Sequence, residues 1–299
     1  MIRVSKMQAS VPSPEMHLPR TTPSQRLRHR LFHTPAVLFG ASITLLLILI
    51  AIAAPVLAPY DPIVQDYNVI AQPPNLAHPM GTDNLGRDIL SRLLYGARIS
   101  LQVGLISVVL STALGIVMGM LAGYYRGWID DVIMRFADAM MAFPALLLVL
   151  AIASALGPSI INATIAIGVV ASPFFARLLR GQVLSVRESD YVTAARALGC
   201  KPTRIMLRHI LPNTLAPLIV LASLSTANAI MTEATLSFLG VGTPPPTPSW
   251  GSMLQVGFQY LLMAPWLSLF PGIAIFVTVL AFNILGDGLR SVLDPRMQR

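Results

Sequence analysis

Residues 177–211 read RLLRGQVLSVRESDYVTAARALGCKPTRIMLRHIL, and Pro212 follows. The chain is apolar on both sides: neither 139–176 nor 212–232 holds an Asp, Glu, Lys or Arg. Connections between packed helices are usually a few residues long. This one is long, basic and helix-like, a form that lets a membrane chain engage a soluble partner.

The same alternation runs through the whole chain. Of its 299 residues, 55% are hydrophobic and only 11% are charged, with a mean hydropathy of +0.68. That balance belongs to multi-span membrane proteins. Charge-free stretches cover 31–60, 99–125, 139–176, 209–232 and 234–286. A helix crosses the hydrocarbon core with about 20 apolar residues. The stretch 139–176 therefore holds two short spans, punctuated at Gly157-Pro158-Ser159. The stretch 234–286 holds one, because Pro244-Pro245-Pro246-Thr247-Pro248 excludes helix. The expected fold is all-α and membrane-embedded, with six spans near 36–57, 100–123, 139–157, 160–179, 212–235 and 266–286.

The net charge of +8 concerns orientation rather than nucleic acid. With the N-terminus in the cytoplasm, Lys and Arg number six in 1–35, two in 124–138, seven in 177–211 and three in 287–299. The outside receives only Arg87, Arg92 and Arg98. The positive-inside rule then puts both termini and the long loop in the cytoplasm. The first span has basic residues before it and Ala53, Ala54 and Ala58 near its end. At about 22 residues it exceeds the roughly 7–15 of a signal-peptide core, so a retained anchor is expected. Residues 1–23 carry Pro12, Pro14, Pro19 and Pro23 and read as a disordered tail, leaving 24–299 as the membrane domain. SQRLRHRLF, 24–32, is either a surface helix at lipid headgroups or a basic tail that only sets orientation.

Outside the membrane, 58–99 opens with the turn-forming Ala58-Pro59-Tyr60-Asp61-Pro62. A calcium loop starting at Asp83 fails, because its sixth position is Asp88 and its twelfth is Leu94. A Gly- and Asp-rich turn into a helix at about Arg87 fits better. Ile89, Leu90, Leu93, Leu94 and Ala97 would form its apolar face on the outer membrane surface, ahead of the second span.

Several chemistries are excluded. A P-loop needs Gly-Lys-Ser/Thr, but Lys6 and Lys201 follow Ser5 and Cys200. Gly240-Val241-Gly242 lacks the third glycine and the strand of a dinucleotide site. Gly40-Ala41-Ser42 lies in a span, yet no span holds a histidine to serve as base. The lone Cys200 rules out internal disulfides and cysteine clusters, and the five scattered histidines have no metal spacing. The chain is not expected to be an enzyme.

Within the long loop, Ser189 or Asp190 can cap a helix from Tyr191 to Leu198, and Gly199 fits its C-terminal stop. Pro202 suits the first turn of a second helix ending near Pro212. The first helix presents Ala194, Ala195 and Ala197, with Arg196 beside them. Small side chains let a helix settle into a groove, while arginines pair with acidic groups. A pair of helices lying on lipid is the alternative that periodicity leaves open.

The run AARALG followed by His209-Ile210-Leu211-Pro212 resembles the EAA loop of ABC importer permeases. That pattern is Glu-Ala-Ala, three residues, Gly, nine residues, Ile, any residue, Leu-Pro. Ala194, Ala195, Gly199, Leu211 and Pro212 match it, and Thr193 and His209 depart from it. The departure at Thr193 leaves open whether a polar contact arises there or from Glu188 or Asp190. APYDP, HPMGTDNLGRDILSRLLYGARISL, AGYYRGWIDDVIMRFADAMMAFP, SFLGVGTPPPTPSWGSML and AFNILGDGLRSVLDPR resemble, in order, the C-type subunit of the dipeptide, oligopeptide and nickel permease family.

The resemblance implies the type I ABC importer permease fold in a bacterial inner membrane. It implies a homologous second permease as heterodimer partner, two ATP-binding subunits that hold ATP and magnesium, and an external binding protein. It makes Asp190, Tyr191, Thr193, Ala194, Ala195, Arg196, Ala197, Leu198 and Gly199, with Leu211 and Pro212, the expected ATPase-coupling residues. The cargo it suggests is short peptides, with nickel chelates, glutathione or other small peptide-like solutes as alternatives. An ion-driven secondary transporter is the competing class, but it usually needs ionisable groups or broken helices near the midplane.

Glu233 lies near the outer end of the fifth span. It faces a cavity or paired charge, or it reaches the interface; both readings stand here. Asp138 with Arg135, and Asp287 with Arg290, are spaced for local salt bridges. Gly240, Gly242 and Trp250 bound an uncharged outer loop that either dips towards a translocation path as a gate or forms a rigid lid.

Overall fold

The computed structural model describes residues 33–293. The expectations for 1–23 and 24–32 therefore fall outside the described residues or at their edge. Helix α1 runs Pro35–Leu57, α2 Ile89–Tyr125, α3 Gly127–Met141, α4 Ala145–Leu156 and α5 Ile160–Val186. Helix α6 is Asp190–Ala197, α7 is Pro202–Ile205, and a π-turn at Met206–Ile210 joins α7 to α8, Leu211–Phe238. Helices α9, Trp250–Gln259, and α10, Trp266–Leu293, complete the set.

Five stretches are long and apolar enough to cross a membrane: α1, α2, α5, α7 through α8, and α10. The outward faces of α1 (Leu45, Leu49, Ile52, Val56) and α10 (Ile273, Phe276, Leu280) are exposed and apolar, as lipid-facing helices must be.

The third span differs from the expectation at 139–157. Helices α3 and α4 meet at 93°, so they count as a sixth span only when taken together. Residues 139–141 belong to α3, and α4 has 12 residues. That is about 18 Å of helix, short of the roughly 30 Å hydrocarbon core. Pro144 causes the break, since it lacks an N–H and pushes Phe143 out of helical geometry. Arg180 clamps α3 to α5 by donating to both carboxylate oxygens of Asp130, at 2.5 and 2.6 Å. Asp138 pairs with Arg177 across the same interface rather than with Arg135. Asp287 and Arg290 form no ion pair among the described residues.

A separate outer surface helix near Arg87 is also absent. Its residues open α2, a single 37-residue helix capped by the Asp88 side chain. No proline interrupts it, and its glycines serve as contact points instead. Gly115, Gly119 and Gly123 recur every fourth residue and let α5 approach closely. A Cβ added at these positions would lie 2.3 Å from Phe175 Cβ, 2.5 Å from the Ala176 carbonyl and 2.7 Å from Val183 Cβ.

The segment ahead of α2 folds into an outer cap. Asp83 accepts from Arg87 Nε at 2.7 Å and lies 3.4 Å from Arg92 Nε, with all three buried. Arg92 also donates to the Pro62 carbonyl at 2.9 Å, and His78 contacts Asp88 at 3.0 Å. Helix α9, absent from the sequence reading, begins with a capping box of Ser249 and Ser252 and packs between α8 and α10.

Candidate functional site

The long connection consists of helices with one well-defined stop. Residues 180–186 still belong to α5. Ser189 occupies the N-cap position of α6, but its hydroxyl donates back to Val186 O at 2.6 Å. Neither Ser189 nor Asp190 caps through its side chain; the Ser189 carbonyl instead accepts from Val192 and Thr193. At the other end Cys200 N–H donates to Ala195 O at 3.1 Å and Gly199 N–H to Arg196 O at 3.0 Å. This bond pair is a Schellman stop, and Gly199 takes its left-handed position at φ +74. Pro202 opens α7 as expected, but that helix does not end at Pro212. The π-turn admits Pro212 without a break, because its wider ring relieves the proline clash with the preceding turn.

Helix α6 has two faces. Val192 and Ala195 are buried against the hydrophobic core, together with Ile205 and Ile210. Ala195 is thus an inward anchor rather than part of a presented face. Asp190, Tyr191, Thr193, Ala194, Arg196, Ala197 and Gly199 are exposed, and Leu198 stands 84% exposed beside them. Leu211 is half-buried and Pro212 exposed. Three bonds hold the element in place: Glu188 pairs with Arg126 at 2.7 Å, Arg187 donates to Tyr124 O at 2.6 Å, and Tyr191 Oη donates to His209 O at 3.5 Å. Of the two acids considered for a polar contact, Glu188 is therefore engaged, while exposed Asp190 forms no ion pair among the described residues.

A cavity of about 450 Å³ opens between α2, α4, α5 and α8. Its polar lining is Ser107 and Ser111 on α2, and Ser225, Asn228 and Thr232 on α8. Apolar side chains including Val149, Ile167 and Phe174 form the rest, and among the described residues no charged side chain lines it.

Glu233 satisfies neither expectation for it. It is 1% exposed, and its carboxylate accepts from Ser100 Oγ at 3.0 Å and Ser237 Oγ at 2.8 Å. Ser237 Oγ in turn accepts from Thr243 N–H at 3.1 Å, which ties the outer loop to α8. Hydroxyl donors rather than a countercharge supply the hydrogen bonding that a buried carboxylate requires. Gly240, at φ +82, ends α8, with Val241 N–H donating to Leu236 O at 2.9 Å. Gly242 packs so closely that a Cβ would lie 2.2 Å from Ser237 Oγ. Trp250 is buried and donates to Leu93 O at 3.0 Å. None of these four residues lines the cavity.

Residues 115–299 match the family described as the inner membrane component of binding-protein-dependent transport systems. The chain belongs to this family.

The permease also matches, over 22–74, the N-terminal transmembrane domain of oligopeptide transport permease C. A putative peptide transport system permease protein of Brucella abortus is 48% identical over 277 residues, covering 93% of this chain and 92% of the relative. The dipeptide transport system permease protein DppC of Alkalihalophilus pseudofirmus is 45% identical, covering 96% and 94%. The glutathione transport system permease protein GsiD of Pectobacterium atrosepticum is 42% identical, covering 93% and 92%. Among solved structures, a chain of the MetNI methionine ABC transporter in an inward-facing form aligns with TM-score 0.55 and 19% identity. It covers 67% of this chain and 96% of that one. The fold is accordingly that of type I ABC importer permeases, in a multi-pass inner-membrane protein.

The sequence reading missed the cavity strip. Its signal was present: Ser107 and Ser111 are four apart, and Ser225, Asn228 and Thr232 follow helical spacing inside charge-free spans.

Proposed function

We propose that this permease is the C-type transmembrane subunit of an ATP-driven importer of short peptides. It pairs with a homologous second permease, two ATP-binding subunits and an external binding protein. One observation carries the coupling role: α6 is pinned by Val192 and Ala195 while it offers Thr193, Ala194, Ala197 and Leu198 outward. A helix surface so small-sided, with one projecting leucine, suits a groove on a soluble partner. Closure of the ATPase pair, which holds ATP and magnesium, pulls the two coupling elements together and rocks the permeases as rigid bodies. The names carried by the relatives direct the cargo to dipeptides, with glutathione in the same chemical class.

The proposal is tested by uptake. Cells lacking the gene should lose ATP-dependent accumulation of a labelled dipeptide and regain it with the wild-type copy. Unchanged dipeptide and glutathione uptake in the deletion strain would refute the cargo.

The orientation has its own test. Cys200 is the only cysteine, and 18 of the 21 Lys and Arg fall on its side of the expected topology. A membrane-impermeant maleimide outside intact cells should leave Cys200 unmodified and should label it in inverted vesicles. The opposite pattern would invert the topology.

A further inference from the structure

We infer that the cavity between α2, α4, α5 and α8 is this subunit's wall of the solute path. In it, the Ser225–Asn228–Thr232 strip binds the main chain of an extended short peptide and leaves its side-chain charge unread. The peptide class rests on the function proposed above.

Asn228 carries the argument. It lies ten residues before the outer end of α8, about 15 Å into the span, yet it is exposed. Its side-chain amide, with two donors and one accepting oxygen, makes no hydrogen bond among the described residues. Bare hydrocarbon is not tolerated against such a group, so water, a polar ligand or a polar group of the second permease must cover it, and the position in the cavity favours the first two. The neighbouring hydroxyls are poised to accept. Thr232 Oγ1 donates to Asn228 O at 2.8 Å and keeps its lone pairs free for an incoming N–H, as half-buried Ser225 does beside it. Ser107 and Ser111 lie buried behind the strip, where their hydroxyls donate to Thr164 O at 3.1 Å and Val108 O at 3.0 Å.

Size and chemistry then choose the ligand. From Ser225 to Thr232 the strip rises about 10 Å, the length of roughly three residues of extended chain. A volume of about 450 Å³ lies within the usual range for small-ligand sites. One wall offers accessible amide and hydroxyl groups along that length. The other, with Val149, Ile167 and Phe174, accepts apolar side chains and stems. The absence of charge in the lining leaves acidic and basic peptides equally placed.

Two measurements on the assembled importer test this. In a Cys200→Ser background, Asn228→Cys should react with a small charged thiosulfonate, and saturating dipeptide with binding protein should slow that reaction. Leu280→Cys, on the lipid-facing side of α10, should not react. An unreactive Asn228→Cys in a complex that still assembles would mean a dry interface with the second permease and would overturn the inference. In the second measurement, Asn228→Asp should shift the uptake ratio of a basic to an acidic dipeptide by about tenfold or more towards the basic one. A full charge within hydrogen-bond reach acts strongly in so apolar a wall. An unchanged ratio at normal assembly would refute the binding role. Failure of the cargo proposal looks different: the wild type would then import no dipeptide at all, while Asn228→Cys would still react.

Discussion

Replacing Gly119 with leucine should remove the folded permease from the membrane. Position 119 is where the backbones of α2 and α5 come together: a Cβ there would lie 2.5 Å from the Ala176 carbonyl, 2.9 Å from Leu179 Cβ and 3.1 Å from the Arg180 amide. Two of these three neighbours are backbone atoms and cannot rotate away. Relief requires the helices to separate, which also strips contacts at Gly115 and Gly123. Overpacking a core costs about 1–3 kcal/mol, and a clash against backbone belongs at or above the upper end. Gly119→Ala should weaken the protein measurably, and Gly119→Leu should leave almost no full-length protein after detergent extraction and size exclusion. Gly181→Leu is the control, since its added side chain meets nothing within 4 Å. A Gly119→Leu protein that extracts and elutes like the wild type would show that the α2–α5 contact does not hold the bundle together.

The second large effect belongs to Gly199. Its φ of +74 lies in the left-handed region, and open space surrounds the position where a Cβ would go. Any effect of substitution is therefore a backbone effect. A side chain in this region costs about 1–2 kcal/mol, and a β-branched one lies at the high end. Gly199→Val should relieve that strain by opening the Schellman stop, which displaces Ala194, Ala197 and Leu198 from their presented positions. Transport should fall by about tenfold or more, taking about 1.4 kcal/mol per factor of ten. Expression should persist, because the stop lies outside the packed spans. The discriminating variant is Gly199→Asn, since asparagine tolerates left-handed backbone and should retain most uptake. Equal losses for Asn and Val, or normal uptake with Val, would remove the stop from the coupling argument.

The buried carboxylate of Glu233 and the paired arginines around Asp83 show how the outer half is organised. Glu233 joins α8 to Ser100 on α2, far away in sequence, whereas the Asp83 cluster is local and fixes the cap to the start of α2; neither lines the cavity. Internal hydrogen bonds and ion pairs thus hold the outer cap and loop to the helices. The unpartnered polar groups of the span, Asn228 foremost, are left for a ligand.

Local signals sufficed for much of this protein. Charge-free runs marked the apolar helices, because a span must be apolar along its whole length. Pro202 marked a helix start and Gly199 a helix stop, because each acts through its own backbone. Other features depend on which helices become neighbours. Asp138 had Arg135 one turn away, yet Arg177 on α5 captured it once α3 folded across that helix. Ala194 and Ala195 look alike in sequence, and only the packing of α6 on the core buries one and exposes the other. The outer surface helix and the second span read as two elements, but nothing breaks the helix between them, and Gly96 against Trp250 and Gly104 against Ile230 pack its outer half into the same bundle, so α2 is continuous. Composition and backbone chemistry alone determined that the chain crosses the membrane repeatedly and carries a structured basic connection. Tertiary structure decided which polar groups are satisfied inside the subunit and which stay open in the cavity, because hydrogen-bond satisfaction is a property of neighbours in space.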